Sequence, residues 1–346
     1  MTNLLHHKLE AQALQQALRL LNPWQRDFPL VPRPFFIIGQ TLGLSEQAVL
    51  DQLQALQEGG ALSRVGGVFA AQAGGAALLS AMAVPESRLS EVAACVSDHP
   101  GVNHNYEREN AYNLWFVMTA PCADTLEASM QSIERQTGLP ALRLPMRKPY
   151  RIDLGFDLSH TPQTRQTSTR LPKLTPSIEP EGWPLAALVE QGLPLVKEPF
   201  AQWAAELDRA PEWVMAQLQS WLGHGVLRRF GLIVRHHELG FDANAMTVFN
   251  VPDDQVDACG ERLAQCAHVT LAYQRLRATT WPYNLYCMVH GRDRATVLAQ
   301  IETLTRECGL SDVPREILFS RRRFKQIGSR RFRAASSTEM DHAHAG

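Results

Sequence analysis

The stretch PLVPRPFFIIGQTLGLSEQAVLDQLQALQEGGALSRVG, residues 29–66, returns as PLVKEPFAQWAAELDRAPEWVMAQLQSWLGHGVLRRFG, residues 194–231, at a constant offset of 165 and without a gap. Pro29/Pro194, Pro34/Pro199, Phe35/Phe200, Leu42/Leu207, Val49/Val214, Leu53/Leu218, Gly60/Gly225, Leu62/Leu227, Arg64/Arg229 and Gly66/Gly231 are identities. Apolar and glycine matches at fixed spacing are what a repeated fold demands. Inside each copy the pattern is helix, turn, helix, extended piece. Phe35 to Leu42 precede Gly43, Ser45 stands where an N-cap belongs, Val49, Leu53 and Leu56 follow at helical spacing, and Gly59-Gly60 ends the run before Val65 to Ala70. That order predicts a winged helix-turn-helix, repeated from Phe200 to Val234.

Working outward, each copy continues with a strand, a Val-Pro dipeptide, an amphipathic helix, a hairpin, a second helix and a last strand. In the first copy these are Ala76 to Val84, Glu86 to Ser97, Val102 to Arg108 with Asn113 to Thr119, Asp124 to Gln136, and Leu142 to Met146. The second copy repeats them from Ala245 to Ser320. This is the βαββαβ order of a ferredoxin-like module, whose helices cover one sheet face and leave the other for a partner sheet or a ligand. The fold class is therefore α+β, two tandem copies of a winged helix-turn-helix followed by a ferredoxin-like module. The expected boundaries are 1–74 and 75–158 for the first copy, a Ser/Thr/Gln/Pro-rich linker over 159–183, 184–240 and 241–333 for the second, and a small, polar tail over 334–346.

The 346 residues carry 45% apolar and 20% charged side chains with a formal net charge of −1. Such a balance gives no general electrostatic case for nucleic acid or a membrane surface. No apolar run nears the roughly 18 residues that span a bilayer. Met1 to Leu21 alternates leucines with polar residues and lacks the apolar core of a signal peptide, so a cytoplasmic location and an amphipathic helix are expected. The six cysteines, at 95, 122, 259, 266, 287 and 308, form no close pair along the chain, and no metal site is expected. DNA binding is disfavoured by the second helices: Ser45 to Glu58 carries Glu46, Asp51 and Glu58, Pro211 to Leu222 carries Glu212, and neither carries Lys or Arg.

Chemistry concentrates on the hairpins. Alternation places His104, Tyr106 and Arg108 on one face and Asn103, Asn105 and Glu107 on the other. Tyr273, Arg275 and Arg277 share a face in the second copy, and the returning strand brings Trp281, Tyr283, Asn284 and Tyr286 before His290. Tyr106, Arg108, Asn113 and Leu114 recur as Tyr273, Arg275, Asn284 and Leu285. Arg229, Arg235, His236 and His237 follow the second wing, and Arg321 to Arg323 with Lys325 form a cationic run. Aromatic faces stack on a planar ring, arginine forks take carboxylates in pairs of hydrogen bonds, and histidine moves a proton near neutrality, so a flat polycarboxylate such as a tetrapyrrole is the expected ligand.

The segments HNYERENAYNLWF, RRFGLIVRHHELGFDANAM, AYQRLRATTWPYNLYCMVHG and ILFSRRRFKQIG resemble siroheme decarboxylases, relatives of the Lrp/AsnC regulators, in the form that joins two subunits in one polypeptide. The resemblance covers both halves. It implies removal of the C12 and C18 acetate carboxyl groups of siroheme in heme d1 formation, giving methyl groups and carbon dioxide, with no cofactor beyond the iron that belongs to the substrate. It implies histidines as proton donors, here His104, His237 or His236. The substrate grip would fall to Tyr106, Arg108, Asn113, Trp115, Arg229, Arg235, Tyr273, Arg275, Arg277, Trp281, Tyr283, His290 and Lys325. Many members carry histidine two residues after the first hairpin arginine, where this chain has Asn110. The two halves are expected to pair within the chain, and a homodimer is compatible with that pairing. The competing readings are a tetrapyrrole-binding chaperone or sensor without turnover, which Asn110 favours, and an Lrp-like transcriptional regulator.

Overall fold

In a computed structural model, residues 15–70, 72–152, 176–235 and 243–332 are described. The expected linker over 159–175, the tail over 334–346, positions 1–14 of the N-terminal helix, and His236 and His237 lie outside the described residues. Positions 15–21 are helical as expected. The later part of the linker is built into the fold: Ile178 is buried and its N–H donates to Ala73 O at 2.7 Å.

The chain divides into two compact units, and each draws on both copies of the repeat: the described parts of Met1–Ala73 with Gly155–Gly240, and of Gly74–Leu154 with Phe241–Gly346. The division therefore runs across the copies rather than between them. In the first unit, α1 (Pro34–Leu42) ends at Gly43 with φ 70°, and α2 (Glu46–Glu58) starts at Ser45, whose hydroxyl accepts the Ala48 N–H at 3.1 Å. Strand β1 (Leu62–Phe69) follows. The second copy contributes α5 (Trp183–Gln191), α6 (Pro199–Glu206), α7 (Pro211–Gly223) and β7 (Leu227–Val234). The two wings pair antiparallel with Gly66 opposite Gly231. That repeated glycine has a steric cause: a Cβ on Gly231 would lie 2.3 Å from Trp24 O, and one on Gly66 2.8 Å from Val189 O. Neither neighbouring backbone can give way.

The second unit is one nine-stranded sheet in the order β5-β2-β4-β3-β11-β8-β10-β9-β6. Its first-half elements are β2 (Ala76–Met82), α3 (Leu89–Asp98), β3 (Val102–Arg108), β4 (Leu114–Ala120), α4 (Ala123–Thr137), β5 (Ala141–Leu144) and β6 (Met146–Ile152). The second half gives β8 (Ala243–Phe249), α8 (Val256–Gln265), β9 (Val269–Arg275), β10 (Leu285–Gly291), α9 (Arg294–Glu307) and β11 (Arg315–Gln326). Two cores lie under the helices. Val92, Val96, Phe116, Met130 and Ile133 pack in one, and Leu263, Phe249, Cys287, Ile301 and Leu304 in the other.

The last strands exchange. Strand β11 pairs with β8 as far as Phe319 and then crosses to β3 from Ser320 onward, while β6 leaves the first half to pair with β9. The cationic run Arg321 to Arg323 is thus the continuation of a strand into the other half. The helix-free face carries a third core joining the halves, with Leu79, Trp115 and Leu144 from the first and Met246, Tyr273, Trp281, Tyr286 and Leu318 from the second. Pairing of the two halves within the chain is therefore a property of this sheet.

Candidate functional site

On β3 the expected alternation holds. Asn105 turns to the helices, where its Nδ2 donates to Ala93 O at 3.0 Å, and His104, Tyr106 and Arg108 share the helix-free face. A bulge at Asn103 precedes them. The rings of His104 and Tyr106 are stacked at 6.3 Å and 19°, and the Arg108 guanidinium lies 5.6 Å from the Tyr106 ring. The repeat-related strand β9 does the same with Tyr273 and Arg275. Arg275 sits 4.6 Å from the Tyr273 ring and 5.9 Å from Tyr286.

Both arginines are buried, Arg108 6% and Arg275 7% exposed. Each is held by a carbonyl of the other half: Arg108 Nη1 donates to Leu318 O at 3.0 Å, and Arg275 Nη1 donates to Leu144 O. Among the described residues no carboxylate lies within ion-pair distance of either guanidinium. Glu107, the neighbour that a structural ion pair would use, faces Arg322 at 3.3 Å, and Glu109 takes both nitrogens of Arg294. Arg275 Nε is buried and has no hydrogen-bond partner among the described residues. A buried charge without a counter-charge is costly. Burial pulls the Arg108 guanidinium below its ordinary pKa, opposed by Tyr106 and Tyr273.

His290, on β10, lies close enough to Arg108 to feel its charge. Burial, with the Arg108 charge added, pulls its pKa down to about 4, so the ring is neutral near pH 7. Thr270 Oγ1 donates to Met288 O at 3.3 Å and contacts His290 Nδ1 at 3.1 Å.

A family model described as "Siroheme decarboxylase NirDL-like HTH domain" matches residues 18–62 and 185–228, and one described as "AsnC-like ligand binding domain" matches 72–151 and 238–325. The siroheme decarboxylase NirDL subunit of Paracoccus denitrificans is 40% identical over 90% of this chain and 96% of its own. The siroheme decarboxylase of Hydrogenobacter thermophilus is 31% identical over 89% of this chain and 92% of its own. The chain belongs to the siroheme decarboxylase family. A crystal structure of the siroheme decarboxylase NirDL in co-complex with an iron-uroporphyrin III analogue matches with a TM-score of 0.65 and 28% identity, covering 94% of this chain and 95% of that one. No described helix is long and apolar enough to cross a membrane.

For this siroheme decarboxylase family member, the remaining sequence-derived candidates divide by what their polar atoms already do. Asn113 and Asn284 each close one peptide unit: Asn113 Oδ1 accepts Val84 N–H at 2.9 Å while its Nδ2 donates to Val84 O at 2.8 Å, and Asn284 repeats this on Val251 at 3.0 and 2.9 Å. The recurring Asn-Leu pair is a device that ties each hairpin to its Val-Pro dipeptide. Arg277 bonds Asp253, Asn250, Val251 O and Pro282 O, and Lys325 Nζ donates to Ser97 O and His99 O at the end of α3. Arg229 is buried in the first unit with Nη1 on Gln25 O at 2.9 Å, and Arg235, in the same unit, donates to Gly60 O at 3.1 Å. Of these four cations Arg277 pairs with a carboxylate, and the others donate to main-chain carbonyls, as Arg108 and Arg275 do.

Trp115, Trp281 and Tyr286 are core. Trp115 Nε1 donates to Tyr112 O, Trp281 Nε1 donates to Tyr286 Oη at 2.8 Å, and the two indoles meet edge to face at 5.2 Å. Tyr283 packs on Trp281 at 4.8 Å. Asn110 forms the hairpin turn, its Oδ1 accepting Tyr112 N–H at 3.0 Å. Sequence spacing missed Cys266 and Cys308, whose sulfurs lie 3.5 Å apart at the ends of α8 and α9. It also missed Ser320 and Asn244, polar positions in apolar strands.

Proposed function

We propose that this chain is a siroheme decarboxylase that removes the C12 and C18 acetate carboxyl groups of siroheme, in the direction of heme d1. The observation that carries the reading is the pair of buried arginines, each beside a tyrosine ring and held by a carbonyl of the opposite half, without an ion-paired carboxylate among the described residues. A carboxylate-rich tetrapyrrole supplies the missing charges, and the planar fork of arginine donates to a carboxylate in a bidentate way. Membership of the family and the NirDL complex with an iron-uroporphyrin III analogue support the same class of ligand.

At each reacting arm a carboxylate is lost as carbon dioxide, and the electron pair left on the methylene carbon is delocalised into the substrate's own conjugated ring. A proton then converts that carbon to methyl. One proton is consumed and one carbon dioxide released per arm, and the substrate's ring is the electron sink, so the chemistry needs no further cofactor. His104, stacked on Tyr106, is the proton donor on this face, and His237 or His236 serves as the second donor. Arg108 and Arg275 seat carboxylates, with Tyr106 and Tyr273 behind them and Trp115, Trp281 and Tyr283 as the apolar wall.

Absorbance titration with siroheme without oxygen, followed by measurement of carbon dioxide, tests the assignment. With His104 and His237 both replaced by alanine, the protein still binds and releases no carbon dioxide. Undiminished release from that variant overturns the donor roles, and no release from the unaltered protein overturns the activity.

A further inference from the structure

The repeat gives each arginine an equivalent, and the strand register gives each its surroundings. Arg108 stands opposite Ser320 across β3 and β11, and Arg275 stands opposite Met146 across β9 and β6. One step beyond the Phe319–Ala245 pair, Ser320 reaches the level of Asn244, which pairs with His290. Continuing the Leu144–Leu79 register brings Met146 to the level of Ala77, which pairs with Thr119. Four strands thus carry the rung Arg108, Ser320, Asn244, His290, and the repeat-related rung reads Arg275, Met146, Ala77, Thr119.

Both rungs lie on the helix-free face. Ser320, Asn244 and His290 each stand two residues along from Leu318, Met246 and Met288, which pack in that face's core. The rungs differ in how their polar atoms are satisfied. Thr119 Oγ1 accepts from Asn103 Nδ2 at 3.1 Å and from the Arg330 N–H at 3.0 Å. Ser320 Oγ and Asn244 Oδ1 are buried and find no partner among the described residues. Buried polar atoms are almost always paired, and two orphans on one rung beside an arginine without a carboxylate point to a ligand as the missing partner. A hydroxyl donates to a carboxylate directly, and a half-turn of the Asn244 amide exchanges its oxygen for the donor nitrogen.

Resting on the siroheme reading above, we infer that Ser320 and Asn244 are binding residues for one carboxylate arm of the tetrapyrrole, held between Arg108 and His290, and that recognition is one-sided. Met146 and Ala77 offer the repeat-related arm no donor. The arm that meets the arginine, two further donors and a histidine is the reacting arm. The arm at Arg275 meets a guanidinium alone and is held without turnover in that orientation.

Ser320→Ala and Asn244→Ala are titrated with siroheme without oxygen, and product formation is followed in the same samples. Each is expected to bind roughly 10- to 100-fold more weakly, the loss ordinarily seen when a hydrogen bond to a charged group is removed. Their melting temperatures without siroheme stay at or above that of the unaltered protein, because an unsatisfied buried atom has gone. Unchanged affinity in both variants overturns the inference whatever the melting temperature. Should melting temperature and affinity fall together, Ser320→Thr, which keeps the hydroxyl, decides: restored affinity supports the inference and unrestored affinity overturns it. Arg108→Lys lowers kcat as well as affinity and Arg275→Lys lowers affinity alone; equal losses of kcat overturn the one-sidedness. If the unaltered protein makes no decarboxylated product, the activity reading fails, and the affinity comparison still tests the rung.

Discussion

Arg108 in the first half and Leu318 in the second are joined by a 3.0 Å hydrogen bond from guanidinium to carbonyl oxygen, across 210 residues of sequence. Arg275 returns the gesture to Leu144. Each half holds the other's arginine in place, so the carboxylate seats proposed above depend on β11 and β6 having changed sides.

Because the Arg108 guanidinium is buried with no carboxylate at ion-pair distance among the described residues, it is expected to destabilise the unliganded fold. Arg108→Met, which keeps the stem and removes the charge, is expected to leave the urea midpoint unchanged or raise it, by about 1 kcal/mol or more in unfolding free energy. The same variant loses siroheme binding. A fall in stability of several kcal/mol would show that Arg108 is a structural anchor.

The buried histidines set a pH dependence. His290 and His99 are both held near a pKa of about 4 against an ordinary value of 6.5, by burial with a neighbouring cation in each case. Between those values the unfolded chain binds a proton that the native state refuses, so stability is complete above about pH 6.5 and is lost as pH falls toward 4. At most about 3 kcal/mol per histidine is at stake. Urea unfolding at several pH values checks this, and His290→Gln should flatten the slope.

Asn113 and Asn284 bear on folding rather than on ligand. Asn284→Ala leaves the buried Val251 N–H unpaired, its carbonyl still held by Arg277, and should cost roughly 1–3 kcal/mol in stability, with the siroheme affinity of the folded protein unchanged. Chemical unfolding and absorbance titration of one preparation separate the two effects.

At the wings, Gly231→Ala forces a Cβ against the Trp24 carbonyl. Overpacking of this kind ordinarily costs about 1–3 kcal/mol, read as a lower melting temperature. Gly223→Ala, where nothing lies within 4 Å, should have little effect.

The fold was largely legible because its signals are local or repeated. Ser45, Gly43 and the Val-Pro dipeptides punctuate the elements, and the offset of 165 residues doubles every signal. What strand alternation could say about His104, Tyr106 and Arg108 also held. The exchange of β6 and β11 was not legible, since pairing between distant strands leaves no periodicity, and the basic run at 321–323 resembles a solvated end. Polar roles were the hardest to read. Arg277 and Arg108 look alike in sequence, and only the positions of Asp253 and Leu318 show that one is saturated and the other is not. Asn244 and Ser320 were invisible because an isolated polar residue in a strand carries no signal until its neighbours are known.

The most direct measurement is the mass of the tetrapyrrole recovered after the purified protein has been incubated with siroheme under anaerobic conditions. A product lighter than siroheme by two molecules of carbon dioxide is the result expected here. Siroheme recovered intact from a protein that binds it tightly would contradict the enzymatic account and leave a carrier in its place.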